Sequence, residues 1–404
     1  METIFQLRKG FKGISIVMKN LIYVYSGIQP GKKGAGNFVS YFLGQLQAKR
    51  IEYKLISYHT PEGFLVKLAK RLGAIAALKQ MYYLLAQNIS KSKNRTKGEK
   101  VVLFHPQSIG LDICIEIIKS NQVYLYVLDN FLFCKKSYNY LEGTKPCVLC
   151  INDSEAHKKI GCKFFPNPQE QDLYDLFLQT IQRNLSSIHF LIQNKNQGLL
   201  LKKKFGPSIS LNEVGMLIDL EEKKEVTEPD AEQQYDFLYH NTLSGAKGLN
   251  FFLDVAKVLK EYRFVVPYSK SEVRKVIPDL EDLKNVKFLS LTWESGLSLI
   301  LESCKVVINP SLWSSPVEGA LLKSIHHNGC VAVVPSEYSF SAELPSDVLI
   351  KLSTSPAEAA QMLKEVLEKE GMTNSYRIKS KSWLDIYMKK VESSLQSFIE
   401  EEFI

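Results

Sequence analysis

The stretch from Val306 to Pro335 limits the fold of this chain more than any other. Val306-Val-Ile308 is an apolar, β-branched run of strand type, and Asn309-Pro310-Ser311 breaks it. An apolar helical stretch then runs to Ile325, and a second strand-like run, Val331-Ala-Val-Val334, starts after Gly329. The unit is therefore strand, loop, helix, strand. Its loop opens onto a helix N-terminus, where unpaired N–H groups and the helix dipole suit an anion such as phosphate.

The same alternation extends along the chain. Leu21–Tyr25, Tyr53–Ser57, Val101–Phe104, Val123–Val127 and Ile188–Ile192 read as strands, with helices around 38–50, 111–119 and 197–205. After a polar, acidic stretch from Glu221 to Gln234, a second series begins. Tyr235–Tyr239, Phe264–Val266, Val286–Leu289, Val306–Ile308 and Val331–Val334 are its strands, and Leu249–Leu259 is a helix with Phe252, Val255, Val258 and Leu259 on one stripe. Strands alternating with helices predict doubly wound parallel sheets. At 404 residues the chain exceeds one core, so two domains are expected. The expected boundaries are 1–218, with a cysteine-rich insertion at about 130–165, a linker at 219–234, a second domain at 235–379, and a final segment at 380–404 that returns to the first domain.

Composition narrows the class. No apolar run reaches the roughly 18 residues of a membrane span. Met1–Asn20 is interrupted by Arg8, Lys9, Lys12 and Lys19 and lacks a cleavage pattern, so the expectation is a cytoplasmic protein. The net charge of +8 suits phosphate-bearing ligands or an anionic membrane face. No nucleic-acid module accompanies it, so nucleic acid is not an expected partner.

Pro310-Ser311, Trp313, Pro316, the helix and Gly329 together resemble the donor-binding segment of retaining glycosyltransferases of family 4, which have the GT-B fold. The resemblance implies an α/β, GT-B architecture: two Rossmann-like doubly wound domains facing a central cleft. It also implies a nucleotide-sugar donor, UDP- or GDP-linked, a saccharide or lipid-linked acceptor, and no obligatory catalytic metal. The family carries two glutamates with seven residues between them. Here those positions hold Ser315 and Lys323, and Glu318 lies inside the interval as a displaced substitute.

Two further segments extend the likeness. Gly31-Lys-Lys-Gly34-Ala35-Gly36-Asn37 follows the first strand and resembles the family's glycine loop beside the donor phosphate and acceptor. Thr242-Leu-Ser-Gly-Ala-Lys247-Gly248 resembles the family's Arg-Leu-x-x-x-Lys-Gly element. Lys247 and Gly248 match, whereas Thr242 stands in the arginine's place and removes a bidentate phosphate contact. His105, at a strand end, corresponds to a histidine near the reacting sugar, and Asp129 resembles the aspartate of a His-Asp pair whose histidine position holds Leu128. The implied site thus has Glu318 and His105 as catalytic candidates. The implied donor contacts are Lys247, Gly248, Thr242, Ser311, Trp313, Ser315, Gly319 and Lys323, and Gly34, Ala35, Gly36 and Asn37 form a phosphate or acceptor loop.

Two features stand apart. Cys134, Cys147, Cys150 and Cys162 cluster, with Cys147 and Cys150 in the spacing of a structural zinc site; scattered reduced thiols are the alternative. The segment Phe64–Lys97 alternates apolar with basic residues, as an amphipathic helix on anionic lipid does, or a crossover helix with a solvated face. The leading reading is a hexosyl-type glycosyltransferase of surface polysaccharide or glycoconjugate assembly, cytoplasmic and peripheral on the inner membrane face. The losses at 242, 315 and 323 motivate a second reading, a non-catalytic GT-B subunit that binds an acceptor or a partner transferase. A sugar-nucleotide epimerase is a third.

Overall fold

The computed structural model describes residues 21–31, 34–57, 96–141, 145–162, 171–220 and 235–404. Met1–Asn20, the polar stretch 221–234 and the basic segment Phe64–Lys97, apart from Thr96 and Lys97, lie outside the described residues.

Two six-stranded sheets organise the chain. In the first, β1 (Ile22–Ser26), β2 (Tyr53–Ser57), β3 (Lys100–Phe104), β4 (Gln122–Tyr126), β7 (Ile188–Ile192) and β8 (Ser210–Glu213) run in the order β2-β1-β3-β4-β7-β8, every pair parallel. In the second, β9 (Phe237–Tyr239), β10 (Phe264–Val266), β11 (Val286–Phe288), β12 (Val306–Asn309), β13 (Val331–Val333) and β14 (Ile350–Lys351) run in the order β11-β10-β9-β12-β13-β14, again all parallel. A small antiparallel pair, β5 (Tyr140–Leu141) with β6 (Lys145–Pro146), sits in the cysteine-rich insertion.

Continuous apolar runs make these strands because helices cover both faces of each sheet. Along β3, Val101 and Leu103 point into one core while Val102 and Phe104 point into the other. Along β12, Val306 and Ile308 face one layer and Val307 the opposite one. Each such side chain contributes roughly 1.5–3 kcal/mol by leaving water.

The helix Met372–Phe403 ties the two halves together. It starts earlier in the chain than the expected segment at 380. Leu384 packs in the C-terminal core, whereas Leu395, Phe398, Ile399 and Phe403 complete the N-terminal one. One detail of the sequence reading is corrected: Val258, expected on the buried stripe, is 49% exposed, because the helix Leu249–Val258 ends there and turns it outward.

Candidate active site at the carboxyl ends of the strands

In open parallel sheets ligands bind outside the carboxyl ends of the strands, where the strand order reverses. In the C-terminal sheet that point lies between β9 and β12; in the N-terminal sheet it lies between β1 and β3. Of the residues picked out by sequence, Gly34–Asn37, His105, Thr242–Gly248 and Ser311–Glu318 follow the strands at these two places, whereas Asp129 follows β4 and Lys323 lies within the helix Gly319–His327.

The C-terminal half of the site is built on a network of short polar side chains. Asn309, at the end of β12, donates through Nδ2 to the His240 carbonyl at 2.6 Å. Asn241 Nδ2 donates to Asn309 Oδ1 at 3.3 Å and to Ser311 Oγ at 3.0 Å. The Ser311 hydroxyl donates in turn to Glu318 Oε2 at 2.6 Å. Glu318 Oε1 pairs with the Lys247 ammonium, and both side chains are buried. The cation lies over two aromatic rings, 4.8 Å from the centre of Trp313 and 5.6 Å from that of Tyr138. A buried charge pair of this kind holds its place only if its remaining lone pairs and protons are satisfied, as the Ser311 bond does here.

Local backbone requirements put Lys247 there. A 3-10 turn, Gly245–Lys247, ends at Gly248 with φ of +74°, and the helix Leu249–Val258 starts from it. Across the site, Glu318 precedes the helix Gly319–His327, which has no side-chain cap, so its first backbone N–H groups open onto the same space. Ser315 is buried and held by backbone bonds to Trp313 and Phe340. Thr242 is exposed and brings no cation. Lys323 does not join the cluster: its ammonium lies 4.4 Å over the ring of Trp293, on the side of the helix where His240 and His327 lie.

In the N-terminal half, His105 ends β3 with φ of +59°, a left-handed conformation that non-glycine residues seldom adopt. The short helix Pro106–Ile109 follows it. Gly27, at the end of β1, fits beneath the His105 carbonyl, where a Cβ would come within 2.5 Å of the oxygen. Burial lowers the His105 pKa to about 4, so its ring is neutral at neutral pH, and its Nδ1 is buried without a partner. Beside it Asp129 accepts from Gln107 Nε2 at 2.9 Å and from the Phe131 N–H at 2.8 Å. Burial outweighs those bonds and raises its pKa to about 7. His105, Gln107, Asp129, Phe131 and Leu132 line one small cavity. The glycine loop closes the edge: Gly31 N–H donates to the Gly36 carbonyl at 3.1 Å and Asn37 N–H to that of Gly34 at 3.2 Å. The helix Ala35–Ala48 then starts with no side-chain cap and no acidic residue in its first turn.

The two halves meet through residues that sequence reasoning missed. Asn139 brackets Ser314: its Nδ2 donates to Ser314 Oγ at 3.0 Å, and its Oδ1 accepts from the Ser314 N–H at 3.0 Å. Asn130 Nδ2 donates to the Ser314 carbonyl at 2.7 Å. Tyr138 packs on Trp313 with ring centres 4.6 Å apart. Burial raises the Tyr138 pKa, and Asp129 on one side and Glu318 on the other raise it further. The segment after β4 therefore forms a strap that runs from the N-terminal sheet over the loop Pro310–Glu318 of the C-terminal one. Nothing in the spacing of Tyr138-Asn139 announces this, because their partners lie far along the chain.

No protein-family model and no curated protein sequence matches the chain. Solved structures do. Sucrose-phosphate synthase from Thermosynechococcus elongatus is similar with a TM-score of 0.62 at 10% identity, over 95% of this chain and 99% of that one. The Anabaena protein HepE, solved with UDP and glucose, gives 0.56 at 12% identity over 94% and 98%. OtsA in its apo form gives 0.58 at 13% identity over 95% and 98%. With two parallel, doubly wound six-stranded sheets, the chain has the GT-B fold: two Rossmann-like domains facing a central cleft.

Proposed function

We propose that the protein is a glycosyltransferase that moves a sugar from a nucleotide-sugar donor to a saccharide or lipid-linked acceptor. The observation that carries this reading is the buried Lys247–Glu318–Ser311 cluster at the switch point of the C-terminal sheet, beside an uncapped helix start. A diphosphate entering there meets one ammonium and a set of free N–H donors, which suits a leaving group that carries negative charge. The complex of HepE with UDP and glucose is a precedent for such ligands on this fold.

In this reading Lys247 exchanges part of its pairing with Glu318 for the donor phosphates, and Glu318 turns to the hydroxyl groups of the donor. Trp313 and Ser311 wall the pocket, while Gly248 and Gly319 let backbone approach it. The neutral His105 and the cavity next to it receive the sugar and the acceptor, with the loop Gly34–Asn37 at the rim. Reaction with retention of configuration, a UDP or GDP donor, and a hexosyl group follow from the resemblance to family 4 enzymes. A role in surface polysaccharide or glycoconjugate assembly at the inner membrane face rests on that resemblance, on the charge of +8 and on the basic segment Phe64–Lys97. Among the described residues no helix is long and apolar enough to cross a membrane.

The second reading, a non-catalytic subunit, draws on one observation: Lys247 is already neutralised by Glu318 and lies under the strap. Calorimetry with UDP-, GDP-, ADP- and CMP-sugars decides. Saturable binding of one nucleotide, lost in Lys247→Ala and followed by turnover with an acceptor, supports the transferase. Silence from the folded protein across the panel supports the subunit.

A further inference from the structure

Lys247, the cation proposed to meet the donor, is covered rather than offered. Two of the groups around its ammonium, Glu318 and Trp313, belong to its own domain, but the third, the ring of Tyr138, reaches over from the other. Tyr138 sits between two fixed neighbours on the strap. On one side Asn139 brackets Ser314 by two bonds and accepts a further one from Asn130 Nδ2 at 2.8 Å. On the other, Ser137 is fully buried with φ of +65°. Two residues past Tyr138, the ring of Tyr140 lies against Gly245 in the turn that carries Lys247; a Cβ on Gly245 would stand 3.5 Å from that ring. The strap thus touches both loops of the C-terminal switch point. Side chains hold it there: among the described residues no three potential ligands are grouped to hold a metal ion, so the zinc site expected of Cys134, Cys147, Cys150 and Cys162 is not formed in this arrangement.

This closed arrangement carries costs of its own. A left-handed conformation strains a residue that has a Cβ, and strain of this kind collects at switch elements. Asn130 Oδ1 and the indole Nε1 of Trp313 are buried without a partner, and each unmet bond disfavours the state that imposes it. Contacts therefore favour closure while strain and unmet bonds oppose it, which suits an element with two positions.

We propose that the segment Asn130–Tyr140 is a gate, with Tyr138 as the plug that shuts the Lys247 site in the resting protein and lifts away when an anion takes its place over the ammonium. This gate, which rests on the reading of Lys247 as the donor's phosphate contact, follows from what surrounds the cation. A phosphate oxygen must come within hydrogen-bond reach of the ammonium, about 3 Å. Glu318 and Trp313 are buried within their own domain, whereas Tyr138 is 38% exposed and has solvent to swing into. An anion that binds only the open form shifts the strap toward it, and closure lowers the apparent affinity by the fraction that is open. Lifting the strap also releases Ser314 from Asn139, so entry of the ligand loosens the hold between the domains.

The test reads Lys247 directly in the full chain. A small amine-reactive acylating reagent, with the modified lysines followed by mass spectrometry, should label Lys247 far more slowly than the exposed Lys260. Tyr138→Ala should quicken labelling of Lys247 about tenfold, because such labelling follows the population of the open form, and should leave Lys260 unchanged. Tyr138→Phe, which keeps the ring, should label as the parent does. Asn139→Ala, which frees the strap and leaves every group around Lys247 in place, should act as Tyr138→Ala does, so either variant decides once it is shown to melt cooperatively. Inorganic pyrophosphate, UDP and GDP are then titrated by calorimetry. Whichever binds the parent should bind Tyr138→Ala several-fold more tightly, and in the parent it should quicken amide exchange at 137–141. Labelling of Lys247 that stays equally slow in the folded variants overturns the gate, as does a ligand that binds Tyr138→Ala no more tightly or leaves exchange at 137–141 unchanged. Quickened labelling with no binding of any of the three to any form supports the gate and overturns the reading of the site as one for a nucleotide-sugar.

Discussion

Gly248 lies so close to the Pro310 carbonyl that a Cβ on it would come within 1.9 Å of the oxygen. The two loops of the C-terminal switch point are packed backbone to backbone, and this contact places Lys247 opposite Glu318. Gly248 also holds a positive φ that side chains resist. Gly248→Ala should destabilise the protein by more than about 2 kcal/mol and weaken nucleotide binding with it. A variant that melts and binds like the parent would show that the loops are free to part.

The ion pair between Lys247 and Glu318 sets up a double-mutant cycle. Lys247→Met strands a buried carboxylate and should cost about 3–5 kcal/mol in urea unfolding. The Lys247→Met/Glu318→Gln double variant should recover much of that loss. Nucleotide affinity should behave differently: removing one charged bond to phosphate costs about 1.5–3 kcal/mol, and the second substitution does not restore it. Equal recovery of stability and affinity would argue that the lysine never reaches a ligand.

The bracket of Asn139 on Ser314 predicts a domain phenotype. Asn139→Ala deletes both bonds and leaves a buried hydroxyl poorly paired, at about 1–3 kcal/mol. Small-angle scattering should show a wider inter-domain distribution, and nucleotide should associate faster. Unchanged scattering would show that the remaining contacts, Asn130 with Ser314, Asn194 with Glu343 and the helix Met372–Phe403, hold the domains without this bracket.

Stability should depend on pH through opposing groups. Burial lowers His105 to about 4 and His240 to about 3, against an ordinary 6.5, with His327 and Lys323 adding to the shift at His240. The unfolded chain therefore takes up protons that the native one refuses. Stability present above pH 6.5 is lost as pH falls toward these values. Asp129 acts in the opposite sense. Its pKa of about 7 exceeds the ordinary 3.8, so its contribution is full below 3.8 and is lost as pH rises through 7. His240→Gln should flatten the acid side of a Tm-against-pH curve by about 1–3 kcal/mol, and Asp129→Asn should flatten the neutral side. Parallel curves for all three proteins would refute the assignment.

The strands were legible where burial on both faces demands unbroken apolar runs, as in Val101–Phe104 and Val306–Ile308. They were illegible at one edge of each sheet, though the opposite edges β2 and β11 were read. Ser-Leu-Asn-Glu at β8 is polar, and β14 spans only two residues, so neither shows a period. Lys247, Ser311, Trp313 and Glu318, which the fold brings together, could be singled out because they lie in segments that resemble family 4 motifs. Tyr138, Asn139, Gln107 and Asn241 could not, because side-chain pairing across the fold defines them. Lys323 shows the limit of alignment by offset: one helix side away, its partner is an indole ring.

The helix Met372–Phe403 carries a consequence for biosynthesis. Tyr124, in the middle of the first sheet, is covered by Phe398 and Phe403, with ring centres 5.7 Å and 4.9 Å away. A nascent chain thus finishes its first domain only after residue 403 has emerged from the ribosome. Until then an aromatic face of that domain stays bare, a standing target for chaperones that hold incomplete proteins.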